Sequence, residues 1–501
     1  MNLVAELLSA GLSDAAAMLD GRAQVTYGKL RKRVDQAGGV LISEGCRKQD
    51  RIGICSENSL FFVVSYLGAI RAGMVAVPFP TDSGPETLAN ISQEAGIRTV
   101  LASRKHAPRV RRSLSQGEIR IIGESELLQS VPAAIEQFPE IDPARDLAAL
   151  MFTSGSTGRP KGVMVTHGNI ATNTRDIVGY MGLTAADRAM VVLPFHYCFG
   201  LSVLHALMAV GGSVVIHNEF MYPERTLQEL RARACTGLAG VPSTYQILLR
   251  KSRFKELEFP DLRWLQQAGG KLPNSCIREI LEAFPDVRFY VMYGQTEGTA
   301  RLSYLPPERL ADKLGSIGKG LPSTRLEVLR PDGAPVAPGS SEIGEIVACG
   351  DNITPGYWND PEETAKYFRD GKLHTGDLAR VDADGFIYIV EREREMIKSG
   401  GNRVSAKEIE DVIAELPGVV EAAVVGVPHP ILGEAIRAFV SITAGEQPGA
   451  NDILQHCRRR LPAFKVPESV VCLPSLPHNA IGKVMKLKLK EMAATVTAEL
   501  I

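Results

Sequence analysis

Apolar positions in the first third of the chain switch between two periods. From Thr26 to about Glu44, Leu30, Val34, Ala37 and Leu41 recur at helical spacing, and Thr26 stands where it can cap the helix they predict. Arg51 to Ser56 then reads as a short strand, Leu60 to Arg71 as a helix and Met74 to Val77 as a strand. Thr99 to Ala102, Ile119 to Ile122 and Leu147 to Phe152 read as further strands. Strand-helix-strand order at this spacing predicts right-handed crossovers and a largely parallel sheet. The rhythm resumes with strands at 189–193, 213–217, 236–240, 262–268 and 287–292, and helices at 201–209, 243–250 and 276–284 among them. The first 140 residues show no reactive constellation and read as scaffold.

From Ser341 the pattern changes to Gly-rich turns and short strands of antiparallel character, at 342–349 and 384–390. A charged run, Glu391 to Glu395, separates these from Ser405-Ala-Lys-Glu408, a capping box for a helix to about Leu416. Strands at 419–427 and 435–442 and a helix at 452–461 complete a small α+β unit of about a hundred residues. The expected class is α/β. Residues 1–393 form a large N-terminal domain of layered, mostly parallel sheets with helices and a β-rich subdomain, and 394–501 form the small C-terminal domain.

At 501 residues the chain is too long for one core. A formal net charge of −1 offers neither a nucleic-acid surface nor a polybasic membrane anchor. Met1 to Gly21 carries Glu6, Asp14 and Asp20 without a basic start, so no signal peptide is expected, and no apolar run approaches spanning length. Eight cysteines without a Cys-x-x-Cys pair predict reduced thiols in a cytoplasmic protein.

The densest chemistry lies in Phe152-Thr-Ser-Gly-Ser-Thr-Gly-Arg-Pro-Lys-Gly-Val-Met-Val-Thr-His-Gly168. Gly155 and Gly158 let a loop fold until backbone N–H groups face one anion. Thr153, Ser154, Ser156 and Thr157 add hydroxyl donors, and Lys161 adds charge. A strand precedes this loop, the setting in which α/β sheets bind phosphates. It is no nucleotide-triphosphatase P-loop, because Pro160 stands where that motif needs glycine and Gly162 follows the lysine.

Four later strands end in small or polar clusters, at 195–197, 240–242, 268–270 and 293–297, which predicts one shared crevice. In Tyr293-Gly294-Gln295-Thr296-Glu297 a hydroxyl beside a carboxylate can meet a phosphate and a divalent metal, although the pentapeptide alone fits an ordinary turn equally well. Asp377 in Thr375-Gly-Asp is suited to a vicinal diol, and on its own is as readily a turn residue.

The Thr153–Lys161 loop resembles the phosphate loop of the adenylate-forming superfamily: acyl- and aryl-CoA ligases, peptide-synthetase adenylation domains and beetle luciferases. The resemblance runs from the N-terminal helices to Lys483. It implies Thr296 on the α-phosphate, Glu297 on Mg²⁺, Tyr293 with Gly269 and Gly270 around adenine, and Asp377 with Arg392 on ribose. It implies that His196, Tyr197, Gly200, Ser202 and Gly240 border the acid, and that Pro477-x-x-x-x-Gly-Lys483 carries a catalytic lysine, with His478-Asn479 in place of a frequent Arg-Thr. Tyr197 stands where amino-acid-activating members carry Asp, so a substrate ammonium would lack its counter-charge. The family's hinge falls at Arg394, and rotation of a mobile C-terminal domain there would bring Lys398, Gly400, Gly401 and Arg403 toward a pantetheine thiol.

The function expected from this resemblance is activation of an aryl or short-to-medium acyl carboxylic acid with ATP and Mg²⁺, then transfer to coenzyme A. Transfer to a separate carrier protein's phosphopantetheine arm is the alternative. A non-catalytic nucleotide-binding homologue stands third, disfavoured by the intact Lys161, Glu297, Asp377, Arg392 and Lys483.

Overall fold

A computed structural model describes residues 2–21, 23–114, 118–129, 137–154, 160–392, 396–429, 431–443, 448–479 and 482–498, with backbone alone at Ser154, Glu391, Arg392, Arg403 and 494–498. Two mostly parallel sheets build its core. The eight-stranded one runs, in spatial order, Ser303–Leu305, Arg288–Tyr293, Trp264–Gln267, Gly237–Gly240, Arg188–Val191, Ser213–Ile216, Ala16–Asp20, Ala23–Thr26. The seven-stranded one runs Gly356–Tyr357, Pro160–Thr166, Leu147–Ser154, Val75–Pro78, Arg51–Cys55, Thr99–Ala102, Arg120–Gly123.

Helices Leu60–Arg71 and Cys198–Ala209 are apolar on nearly every side, and a helix with that pattern must be buried all round. Both belong to the main hydrophobic core, with parts of Tyr27–Ser43 and His167–Met181. Their ends follow local chemistry. Thr26 and Ser59 accept the backbone N–H of Lys29 and Phe62, and Thr166 forms a reciprocal capping box with Asn169.

A third sheet, antiparallel throughout, holds Gly320–Leu321, Thr324–Leu329, Gly344–Gly350, Phe368–Arg369, Lys372–Val381 and Ile387–Arg392. The C-terminal unit has its own sheet of Asn402–Val404, Ile397–Ser399, Gly433–Ile442, Val419–His429 and Ser469–Leu473, with its own apolar cores.

Three elements differ from the sequence expectation. Pro160–Thr166, for which the sequence pattern predicts no element, is a strand paired antiparallel with Leu147–Ser154. Val163 and Val165 alternate inward there, a period of two. The helix after Ser405 covers only Ala406–Ile413: Ser405 accepts from Glu408 N, but the Glu408 carboxylate is drawn to Lys465 Nζ at 2.7 Å. The basic stretch after Lys483 is the helix Lys486–Ala498, with Leu489 and Ala493 buried one turn apart against Ala423, Val425 and Phe439. All eight cysteines are free thiols, and among the described residues no helix is long and apolar enough to cross a membrane.

Candidate active site

The strand Leu147–Ser154 delivers Thr153 opposite Lys161, so the two ends of the phosphate loop lie side by side. Gly155, Ser156, Thr157 and Gly158 lie outside the described residues, as does Arg394. Lys161 is ion-paired with Glu363 and lies 5.7 Å from the Tyr357 ring centroid. The Tyr357 hydroxyl donates to Glu297 Oε1 at 2.7 Å. Burial, then the Glu297 carboxylate, push that hydroxyl well above its ordinary range, so it stays a donor. Lys161 and Glu297, 136 positions apart by residue number, thus belong to one polar cluster.

The turn carrying Thr296 and Glu297 is tightly over-determined. A Cβ on Gly294 would meet the Ala300 carbonyl at 2.0 Å. Thr299 and Ala300 hold φ of 52° and 84°, which non-glycine residues adopt only when their surroundings enforce it. Here the Thr299 hydroxyl donates to Asn352 O at 2.6 Å, and the Asn352 amide donates to Gly298 O and Arg301 O. Thr296 Oγ1 is 3.5 Å from Cys198 Sγ, while the buried Gln295 Nε2 has no partner. Burial raises the Cys198 thiol pKa, which argues against a thiolate nucleophile at that position.

Tyr293 donates to Asp377 Oδ2 at 2.6 Å, and Asp377 pairs in register with Arg392. Gly269 and Gly270 lie against Val241 and Pro242, with Gly269 at φ 86°. The residues expected to border the acid occupy the turn into Cys198–Ala209, the first turns of that helix and the end of Gly237–Gly240. His196 is buried, its Nε2 has no partner, and burial pushes its pKa down to about 3, so the ring is neutral. Tyr197 is pushed up to about 12, chiefly by burial, and is a neutral phenol. A Cβ on Gly200 would meet Pro194 O at 2.5 Å, so this glycine is fixed by a close backbone approach. Gly240 packs equally closely on Thr244. Ser202 lines a cavity of about 30 Å³ with Cys198, His205 and Thr296, but its hydroxyl is already committed to Phe199 O at 2.7 Å.

From the C-terminal unit, the Gly482 carbonyl accepts the Ser243 hydroxyl at 2.7 Å, which places Lys483 beside the 240–243 cluster. Lys271 pairs with Asp411 at 2.6 Å across the same interface. Lys398, Gly400, Gly401 and Arg403 form a separate hairpin whose two glycines have positive φ, and its bonds run to Glu434 and Leu432 of its own domain. The hairpin's bonds thus stay within the C-terminal unit, whereas the turn before Lys483 docks on Ser243 of the N-terminal part. Sequence reasoning missed Tyr357, Glu363, Asn352 and Arg301. The only signal was Gly356-Tyr-Trp-Asn-Asp-Pro-Glu-Glu-Thr364, an aromatic and acidic run that by itself reads as a turn and a helix start.

Residues 9–358 match the family model for the AMP-binding enzyme, and residues 408–483 match the AMP-binding enzyme C-terminal domain. The chain is 34% identical over 475 residues to feruloyl-CoA synthase of Amycolatopsis sp., covering 94% of each. Among solved structures it is similar to ATP-bound MatB from Rhodopseudomonas palustris, with 30% identity, TM-score 0.88 and 98% of each chain covered. It is likewise similar to o-succinylbenzoate CoA synthetase from Bacillus subtilis in complex with ATP and magnesium ion, with 27% identity, TM-score 0.86 and 98% and 99% covered.

Proposed function

We infer that this chain, which belongs to the AMP-binding enzyme family, activates a carboxylic acid with ATP and passes the acyl group to the thiol of coenzyme A. It is an acid–thiol ligase that works through an acyl adenylate and uses ATP, Mg²⁺ and coenzyme A. The observation that supports the reading is that Lys161 and Glu297 share one polar cluster through Tyr357, while the Gly482–Lys483 turn docks on Ser243 just past the end of the parallel strand Gly237–Gly240.

A carboxylate is a poor acyl donor because oxide would have to leave. Attack of its oxygen on the α-phosphorus makes a mixed anhydride and expels pyrophosphate. No general base is needed, since the nucleophile is already an anion. The site has only to meet negative charge gathering on the phosphate oxygens. Thr296 donates to the α-phosphate, Lys483 bridges that phosphate and the reacting carboxylate, and Lys161 with the loop from Thr153 to Gly158 meets the β- and γ-phosphates. Tyr293, Gly294 and Gln295 with Gly269 and Gly270 flank adenine, and Asp377 with Arg392 takes the ribose. His196, Tyr197, Gly200 and Gly240 shape the acid's surroundings without a countercharge for an α-ammonium.

Glu297 is the residue that would hold Mg²⁺. Its Oε1 takes the Tyr357 hydroxyl and its Oε2 has no hydrogen-bond partner among the described residues. There, no group of three or more His, Cys, Asp or Glu stands ready for a metal, which fits an ion carried largely by substrate phosphates on a single carboxylate. When bound, the ion neutralises phosphate charge. Glu297→Gln lowers acid-dependent ATP–pyrophosphate exchange about 10²-fold and moves the Mg²⁺ requirement upward, while the fold survives because Tyr357 can still donate to the amide oxygen. Magnesium titrations of exchange on both proteins check this.

For thioester formation, we place a domain boundary at 393/394 with Arg394 as hinge. Rotation there withdraws Lys483, breaks the Lys271–Asp411 pair, and turns the Lys398–Arg403 hairpin toward the thiol. Eight unpaired cysteines fit a cytoplasmic location. The reading is tested by ATP–pyrophosphate exchange over aryl, short-chain, medium-chain and long-chain acids, followed by coenzyme A or a pantetheinylated carrier as acceptor. Exchange with one acid class and thioester only on coenzyme A is the expected result. Failure to bind ATP would overturn the reading.

A further inference from the structure

Arg301 is the only arginine or lysine among the described residues that is buried, with 0% of its surface exposed. Its partners are neutral. Nε lies 3.1 Å from Met292 Sδ, Nη2 lies 3.2 Å from Gln266 Oε1, and the guanidinium stands 4.3 Å from the Phe199 ring centroid. Nη1 is buried without a hydrogen bond of its own, the Tyr180 hydroxyl is a further neutral group beside the guanidinium, and no carboxylate pairs with it among the described residues. A guanidinium stays charged in proteins, and burying one without an anion is costly. An aromatic face, two neutral acceptors and a neighbouring hydroxyl offset only part of that cost. A leucine or methionine would fill this space between Met292 and Phe199 without it. Packing therefore does not account for an arginine here.

Its surroundings are those of the reaction. Arg301 ends the over-determined turn that begins at Gly294 and carries Thr296 and Glu297. Phe199, whose ring the guanidinium overlies, stands in the first turn of Cys198–Ala209, directly after His196 and Tyr197. The neighbouring Cys198 touches Thr296 and feels the charges of both Arg301 and Glu297. The unpaired charge thus stands within one side chain's reach of both the acid-side turn and the phosphate-side motif.

We propose that Arg301 anchors a second carboxylate of the substrate, so that this enzyme activates a dicarboxylic acid. This rests on the adenylation reading of the site. One carboxylate oxygen forms the bond to the α-phosphorus as the bridging oxygen to the β-phosphorus departs with its electron pair as pyrophosphate. The distal carboxylate stays ionised and unreacted on Nη1, supplying the anion that the folded protein lacks. A methyl ester at that end leaves the buried donor unsatisfied and is rejected, as polar sites reject analogues without the group they bind.

The experiment compares straight-chain diacids from malonate to adipate and the benzenedicarboxylates, each beside its monomethyl ester. Wild type and R301M are assayed by ATP–pyrophosphate exchange, and calorimetric binding is measured without ATP. For the best diacid, wild type should favour it over its ester by about 10²-fold or more in kcat/KM, and R301M should erase that ratio. Calorimetric binding should weaken in parallel. Equal use of diacid and ester by wild type, a preference retained in R301M, or preference for a hydroxy-aryl monoacid over every diacid overturns the proposal and leaves adenylation standing. Arg301-dependent diacid binding without any exchange would instead sink adenylation and keep the anchor. Should R301M fail to fold, the wild-type ratio decides alone.

Discussion

Lys483→Ala lowers acid-dependent ATP–pyrophosphate exchange by about 10³-fold while thioester formation from supplied acyl adenylate stays nearly unchanged. The asymmetry follows from where the charge is needed. In the first half-reaction negative charge accumulates between two anions that repel each other, and a lysine bridging them acts only as the transition state forms. In the second half-reaction the thiolate attacks the carbonyl carbon and AMP departs with the bonding electron pair as a phosphate dianion. Two anions no longer have to be brought together, and the proposed hinge motion has already taken the lysine away. Local structure explains why this lysine can be placed so well from an exposed turn. Asn479 Oδ1 accepts the Lys483 N–H at 2.9 Å and Asn479 N donates to Lys483 O at 2.9 Å, closing the turn. His478 is tied to Glu421 at 2.9 Å. The departure from the family's Arg-Thr therefore leaves two residues that brace the loop themselves. Gly482 sits at φ 72°, and a Cβ there would come within 2.7 Å of Ser243 Oγ, the group that holds its carbonyl. Exchange and thiolysis measured separately on the variant decide the matter: an equal loss in both would make Lys483 a structural residue.

Much of the scaffold was legible because its signals are local. Leu60–Arg71 has its expected bounds, set by the Ser59 cap and an apolar run too continuous for a surface helix. Asp377 and Tyr293 were each assigned on a short motif, and the structure joins them by one 2.6 Å bond. What escaped was non-local or contrary to pattern. Glu363 and Tyr357 gain meaning only from Lys161 and Glu297, and no spacing rule connects residues so far apart. Arg301 reads as a surface charge in any window of sequence, since nothing local announces burial without a partner. Lys486–Ala498 was hidden by its lysines, whose exposed faces mask the two small apolar contacts that dock it. Ser202, read as a small residue of an apolar pocket, spends its hydroxyl on the backbone of its own helix.

Moving from pH 7.5 to pH 5 costs the folded state about 6 kcal/mol, through three buried histidines. His167, His196 and His205 expose 1%, 4% and 4% of their surface, and each has an Nε2 without a partner. Burial pushes their pKa values down from 6.5 to about 4, about 3 and about 3. The Leu3 N–H donates to His167 Nδ1, which fixes that ring in a neutral form, while His205 stacks on Tyr66 with no acid beside it. The sign follows from the proton balance. Below pH 6.5 the unfolded chain takes up a proton at each ring and the folded chain does not, so stability falls with pH. It continues to fall until the folded values are reached, and by pH 5 each ring contributes a loss of about 2 kcal/mol. Carboxylates do not offset this. Glu57, held at about 2 chiefly by its bond to His106, keeps its contribution throughout this window and loses it only in stronger acid. A loss of this size rivals the whole stability of an ordinary domain, so the protein should unfold cooperatively near pH 5. Urea midpoints between pH 5 and pH 7.5 measure the slope, expected to steepen from under one proton at pH 7.5 to nearly three at pH 5, where the H205N comparison is made. H205N should remove about one of them whatever its own stability, because a slope reports proton uptake rather than packing. A wild-type slope below one proton would mean that these rings are hydrated and titrate as free histidines do, and that the core around Cys198–Ala209 is looser than its burial implies.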